Sequence, residues 1–276
     1  MIEIENIIVA LNSFDSSQED VVKILPEDTS TDSQGIIFLK PELCSLSPKN
    51  LRLILSYFLN LAKKHDIEVH DIFIVSGNFI INEKIYDKNY DNIRRNSLCN
   101  LQVDRISHLN LLKVIEKTEN CQLVIGGIAL AEKGYAPKFI LDLWLNSGKA
   151  FKIDDDFYGV PCLLEGKKIL LINGFYPAQA EQYKVPNSKI ILFSFKTEKS
   201  FSFLKKYFQG TAEIQGRYKG SMRQHLYENR NKYQLDSFSP SRNGIHLSGN
   251  REEGQREVTL FREAIQSYFN HRQAQK

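Results

Sequence analysis

The sequence predicts an α+β fold, an antiparallel sheet with helices packed on one side. Three observations carry this. Strand, helix and strand follow one another over residues 35–75, and the order begins again with a strand at Ile190–Phe195 and a helix at Phe201–Phe208. A third is the closing helix, whose Val258, Phe261, Ile265, Tyr268 and Phe269 fall on one face between Arg251 and His271.

In chain order, residues 1–34 read as an acidic N-terminal extension. A short apolar strip, Ile7–Leu11, precedes a run rich in Ser, Asp and Thr, expected to be a mobile segment or a loose strand. Gly35–Leu39 (GIIFL) is a β-rich run ended by Lys40-Pro41. Ser47-Pro48 starts a helix in which Leu51, Ile54, Tyr57, Phe58 and Leu61 recur at helical spacing. Ile67–Val75 is the next strand. Further on, the pattern predicts an amphipathic helix at Ser107–Glu116, a buried strand at Gln122–Ala129 and a helix at Lys138–Leu145. A hairpin follows, Gly159–Leu164 with Lys168–Asn173, turning through Glu165-Gly166-Lys167. Ile190–Phe195 is almost entirely β-branched or aromatic, and the helix after it ends near Gly210.

The chain has 276 residues, 42% hydrophobic and 25% charged, enough for one large domain or two smaller ones. Its longest apolar stretch, within Gln122–Ala131, is about half the ~20 residues a membrane-crossing helix requires. The acidic start MIEIEN is unlike a secretory signal, and four scattered cysteines without a CxxC pair read as reduced thiols, so the expected location is the cytoplasm. Charge is unevenly placed: residues 1–34 carry −7 of a net +3, leaving +10 on the remainder. That surplus steers anions to the surface and fits nucleotides or other phosphorylated small molecules. No basic stripe with interleaved aromatics marks a nucleic-acid site.

The common phosphate loops, GxxxxGK[ST] and GxGxxG, do not occur. Gly126-Gly127 reads as close backbone packing and Asp154-Asp155-Asp156 as a solvated turn, since it lacks the spaced ligands of a calcium loop. His65, His70, His108, His225 and His271 have no zinc-type spacing. His246 differs, lying in the polar, glycine-rich run RNGIHLSGN (242–250) before the last helix. An imidazole there can accept and pass on a group near neutral pH, provided a partner fixes its tautomer, and Glu257 in the following helix is placed to do so.

This segment resembles the active-site stretch of nucleoside diphosphate kinases, N-x-x-H-G-S-D-S followed by a helix bearing a glutamate. Asn243, His246, Ser248 and Glu257 occupy the matching positions. Upstream, Lys206 to Glu213 and then Gly220-Ser221-Met222-Arg223 stand where that family has R-x-x-x-G-A-T-N-P and G-T-I-R, with its spacing from Gly210 to Arg223. Lys40-Pro41-Glu42 stands for its K-P-D after the first strand.

The resemblance implies a ferredoxin-like βαββαβ core and a phosphotransferase. His246 would take the γ-phosphoryl of a nucleoside triphosphate as a phosphohistidine and hand it to a nucleoside diphosphate. Lys206 and Arg223 would supply positive charge, Lys40 and Asn243 would hold the ribose and phosphate end, and Ser248 would brace Glu257. Mg²⁺ would arrive on the nucleotide phosphates, with no protein metal ligands. Whether the chain is a homo-oligomer stays open.

The likeness covers about 35–75 and 173–270, so residues 35–276 read as one domain interrupted by an α/β insertion at about 87–172, where the family has its base clamp. Other departures are lysine for arginine at 206, Thr211 one place early with Ala212 at the threonine position, Leu247 and Gly249 beside Ser248, and an extra stretch at roughly Tyr227–Asp236. Two alternatives follow: the same phosphohistidine chemistry on another acceptor, or a catalytically silent nucleotide-binding or scaffold module.

Overall fold

The structure, a computed structural model, describes residues 3–14, 19–24, 32–102, 111–113, 121, 123–185, 187–211, 218–235, 238–239 and 241–274. The chain is a mixed α/β protein with antiparallel sheets. It divides into two compact units, Met1–Ile85 with Gln182–Lys276, and Tyr86–Glu181. No described helix is long and apolar enough to cross a membrane.

The first unit opens with α1 (Ile4–Phe14) and β1 (Val21–Lys23), followed by β2 (Gly35–Leu39), α2 (Pro41–Cys44), α3 (Pro48–Lys64) and β3 (Ile67–Ser76). It closes with β9 (Lys189–Thr197), a helix over residues 201–209, β10 (Ile245–Leu247) and the helix Arg251–Ala274. Its five strands lie in the order β1-β3-β9-β2-β10, every neighbouring pair antiparallel. All five residues of β2 are buried, because it lies between β9 and β10 and is covered on both faces. Ile37, Leu39, Ile72, Ile74, Ile191, Phe193 and Phe195 join the α3 face (Leu51, Ile54, Leu55, Phe58) in one core. Ser47 caps α3 by accepting from the Asn50 N–H, and Pro48 occupies its first turn, where no backbone donor is needed.

Two described pieces of the N-terminal stretch pack into this unit. Ile7, Ile8, Leu11 and Phe14 have helical spacing and are buried in the same core, and the Arg52 guanidinium of α3 holds the Glu5 carboxylate through two hydrogen bonds. β1 pairs with β3. The acidic composition obscured an amphipathic helix only three turns long.

The second unit, 86–181, compares with an insertion expected at 87–172. Its strands are β4 (Asn100–Gln102), β5 (Leu123–Gly126), β6 (Phe151–Asp154), β7 (Phe157–Leu164) and β8 (Lys167–Ile172), ordered β4-β5-β8-β7-β6. β5 and β8 are parallel and the remaining pairs antiparallel. The β7–β8 hairpin turns on Glu165 and Gly166, both with positive φ, the backbone a tight hairpin requires.

The strand expected over Gln122–Ala129 ends at Gly126, and Gly127–Glu132 is helical. A Cβ on Gly126 would lie 2.0 Å from the Ser97 carbonyl oxygen, so the glycine permits a close backbone approach at that junction. Asp154 ends β6, and Asp155 and Asp156 make the turn to β7. Of the helix expected at Ser107–Glu116 only 111–113 are described, as helix; the rest lies outside the described residues.

Candidate functional site

The site is assembled around β10, a three-residue edge strand that brings His246 opposite Phe38 of β2. The imidazole stacks on the Phe38 ring, centroids 4.5 Å apart and 13° from parallel, and is 7% exposed. Stacking fixes the plane of the ring. Its Nε2 lies 2.9 Å from Glu257 Oε1. Glu257 is fully buried, and its second oxygen, Oε2, accepts from Ser248 Oγ at 2.5 Å. The Ser248 hydroxyl in turn accepts from the Ile36 N–H at 2.9 Å, which ties the whole chain of groups to β2.

An ionised Glu257 accepts the proton on Nε2 and so leaves the ring lone pair on Nδ1. The carboxylate thereby selects which ring nitrogen carries the lone pair.

The helix Arg251–Ala274 delivers Glu257 because it runs very close to β2. A Cβ on Gly254 would sit 2.3 Å from the Gln34 carbonyl oxygen, so only glycine fits there. The helix start is fixed by Asn250, whose Oδ1 accepts from the Glu253 N–H, while Glu253 Oε2 accepts from the Gly249 N–H at 2.8 Å. Burial, with the nearby Glu257 charge adding to it, raises the Glu253 pKa above the ordinary glutamate value.

Lys40 leaves the end of β2 into a buried position, 4% exposed. Its N–H donates to the Gly244 carbonyl at 2.9 Å, and Glu42 Oε1 accepts from the Gly244 N–H at 2.9 Å. Gly244 has φ +80°, and a Cβ there would meet Leu226 at 2.5 Å, so the turn before β10 depends on glycine. Asn243 is 3% exposed beside it. Burial pulls the Lys40 ammonium down to about 8; Glu42 resists this, while Arg223 and Lys205 press further down.

The outer edge of β10 is capped by side chains. Arg223, in the helix Met222–Glu228, donates through Nη1 to the Gly210 carbonyl and through Nη2 to the Ile245 carbonyl, each at 3.0 Å. Gln209, with its amide oxygen turned to the strand, accepts from the Leu247 N–H at 3.1 Å. Lys205 Nζ donates to the Leu247 carbonyl at 2.5 Å. These contacts fill hydrogen-bonding positions that an edge strand would otherwise leave open.

Lys206, the cation expected here, is exposed, with its Nζ 5.0 Å from the Tyr207 ring centroid. The physical reason is a π-turn over Leu204–Gln209, closed by Gly210 N–H bonding to the Lys205 carbonyl five residues back. Counting four residues back from Gly210, as an α-helix would, selects Lys206; the π-turn brings Lys205 to the strand instead. Thr211 is exposed, and Ala212 lies outside the described residues. The stretch Tyr227–Asp236 contributes the end of the helix Met222–Glu228 and the short helix Arg230–Tyr233; Asp236 lies outside the described residues.

Thus His246, Glu257 and Ser248 come together as one hydrogen-bonded chain, and Lys40 and Asn243 meet around Gly244. Arg223 braces the backbone on which the histidine stands. Sequence reasoning missed Phe38, Glu42, Lys205 and Gln209. Phe38 was legible in principle, since alternation along Gly35–Leu39 puts Ile36 and Phe38 on one face. Glu42 had been noted only as part of Lys-Pro-Glu. Among the described residues no three His, Cys, Asp or Glu side chains gather as a metal site. No family model matches the chain, and neither the curated proteins nor the solved structures give a match.

Proposed function

We propose that this chain is a phosphotransferase that moves the γ-phosphoryl group of a nucleoside triphosphate through His246 to a nucleoside diphosphate, as its resemblance to nucleoside diphosphate kinases implies. The observation that carries the reading is the buried Ser248–Glu257–His246 chain, which holds Nε2 and directs Nδ1 to the reaction. A histidine needed only for packing would not require a fully buried carboxylate with both oxygens engaged.

In the first step the Nδ1 lone pair attacks the γ-phosphorus. The P–Nδ1 bond forms, the P–O bond to the β-phosphate breaks, and the diphosphate leaves with that electron pair. The ring becomes cationic and Glu257 opposes the charge across the Nε2–H bond. In the second step an acceptor phosphate oxygen takes the phosphoryl and the P–N electron pair returns to Nδ1. A loose, metaphosphate-like transition state asks the protein mainly for positioning and positive charge. Lys40 and Lys205 supply the charge, Arg223 holds β10, and Asn243 lies at the ribose and phosphate end. Magnesium enters as the nucleotide complex.

The ferredoxin-like part of the reading rests on topology. β2, α3, β3, β9, the helix over 201–209 and β10 follow one another as βαββαβ, and the four strands lie in the order β3-β9-β2-β10. A different acceptor is the second reading, favoured by the separate sheet-bearing unit over 86–181 at the chain position of the family's base clamp.

The test is transfer of label from γ-³²P-ATP in the presence of Mg²⁺, followed by a chase with a panel of phosphorylated acceptors. An acid-labile, alkali-stable label lost in His246→Ala and removed by nucleoside diphosphates agrees with the proposal. A label that only other acceptors remove moves it to the second reading. Bound ATP with no label leaves a silent binding module.

A further inference from the structure

We propose that Phe38 is a positioning residue for His246, its ring face stabilising the positive charge that the imidazole takes on when Nδ1 accepts a phosphoryl group. That His246 accepts a phosphoryl group rests on the reading above; the contact between the two rings does not.

The charge follows from the balance of the first step. Nδ1 gives its lone pair to phosphorus, the leaving group takes the electron pair of the bond that breaks, and the proton on Nε2 stays where Glu257 holds it. The buried ring then carries a positive charge away from water. Such a charge is costly unless groups in contact with it offer the opposite sign. Glu257 does so at the ring edge, through Nε2. Phe38 does so on the ring face.

Cross-strand pairing puts it there, since His246 and Phe38 are direct partners on β10 and β2. The two rings lie 4.5 Å apart, centroid to centroid, with planes only 13° from parallel. The face of a phenyl ring is the negative part of its quadrupole. It attracts a cation within about 6 Å of the centroid, more strongly where water is excluded. Phe38 is itself buried, and Phe261 of the closing helix packs on it at 6.5 Å and 52°. The helix that carries Glu257 therefore also backs the phenyl ring. The Nδ1 lone pair lies in the imidazole plane, so a phenyl on the face does not stand in the line of the incoming phosphorus. A neutral imidazole gains nothing from this charge attraction, whereas the cationic one does, so the contact strengthens as the transfer proceeds.

The test replaces Phe38 in the full chain by phenylalanines bearing one, two or three ring fluorines, which drain the negative face and barely alter the shape. Single-turnover formation of phosphohistidine is read with two donors, Mg·ATP and phosphoramidate. The second phosphorylates histidine with release of ammonia and needs no nucleotide site. His246→Ala supplies the background from the other histidines. We expect the rate to fall with each fluorine, reaching a loss of about three- to thirtyfold at three fluorines, while the denaturant midpoint of unfolding changes little. A rate that ignores the fluorine count overturns the proposal, as does a loss that follows the unfolding midpoint, which is what a packing role alone would give. Phe38→Leu keeps apolar bulk without a π face and should lose at least as much; should it fail to fold, the fluorine series decides. A fluorine trend with phosphoramidate in a protein that takes no phosphoryl from ATP leaves the Phe38 claim standing and removes the nucleotide reading. Phosphorylation by ATP without a trend does the reverse. No phosphohistidine from either donor overturns both.

Discussion

At the scale of single residues, the proposed reaction turns on which ring nitrogen Glu257 holds. Glu257→Gln keeps the shape but offers Nε2 an amide that either accepts or donates, so the tautomer is no longer imposed. We expect phosphorylation of His246 to slow by about 10–100-fold, by analogy with the loss of a carboxylate that orients a metal-bound histidine; an unchanged single-turnover rate would contradict the role. Ser248→Ala leaves the Ile36 N–H and Glu257 Oε2 each short of a partner. That costs about 1–3 kcal/mol of stability, to be read from denaturant unfolding. His246 and Glu257 could be picked out from the sequence because a polar, glycine-rich surround and a glutamate in the next helix are chemical signals. Lys205 could not, because nothing in LKKYFQG announces a π-turn; propensity is nearly the same for both lysines and only the extra residue in the turn decides between them.

At the scale of elements, the closing helix acts as a lever that presents Glu257. Gly254→Ala would force the helix away from Gln34 by a Cβ that otherwise lies 2.3 Å from its carbonyl oxygen. We expect about 1–3 kcal/mol of destabilisation and slower phosphorylation together, because the same displacement withdraws the carboxylate from His246. Normal phosphorylation in a destabilised Gly254→Ala protein would break that link. On the π-turn, Lys205→Ala should weaken both β10 and Mg·ATP binding, while Lys206→Ala changes stability by no more than about 0.5 kcal/mol. Equal losses from both substitutions would count against the register described.

Long or strongly patterned elements were legible: α3, β9, the β7–β8 hairpin and the closing helix all lie where apolar period and turn residues put them. β10 was not, since three residues are too few for a period and its pairing with β2 comes from more than 200 residues away in the chain. α1 was hidden for a different reason, as its apolar face is short and its neighbours are acidic. The glycine pair at 126–127 marked close packing, as read, yet at a strand-to-helix junction rather than inside a strand.

At the scale of the whole molecule, buried titratable groups set how stability responds to alkali. Burial pushes the Cys44, Cys99 and Cys162 thiols up to about 12 from an ordinary 9.0. The folded state therefore keeps those protons longer than the unfolded chain does. Their contribution is complete below about pH 9 and is lost as pH rises toward 12. Lys40 acts in the opposite sense: its folded value, about 8, lies below 10.5, so the unfolded chain binds the extra proton and stability gains across that window. Three thiols outweigh one amine, and thermal unfolding should show Tm falling steadily above about pH 9. A Tm that rises from pH 9 to 11 would mean that burial of the thiols is misjudged. The insertion expected at 87–172 came from the family resemblance and falls within the second unit, 86–181, whereas the sheet of that unit was only partly legible, its hairpin clear and its short β4 and β6 silent.

The central claim is that Glu257 holds Nε2 so that Nδ1 of His246 carries the phosphoryl group. It is tested most directly by ³¹P–¹⁵N NMR of the full chain, labelled with ¹⁵N-histidine and treated with Mg·ATP. The account predicts one phosphohistidine signal, coupled to Nδ1 and missing in His246→Ala. A signal coupled to Nε2, on a different histidine, or no phosphohistidine at all in a protein that binds ATP would contradict it.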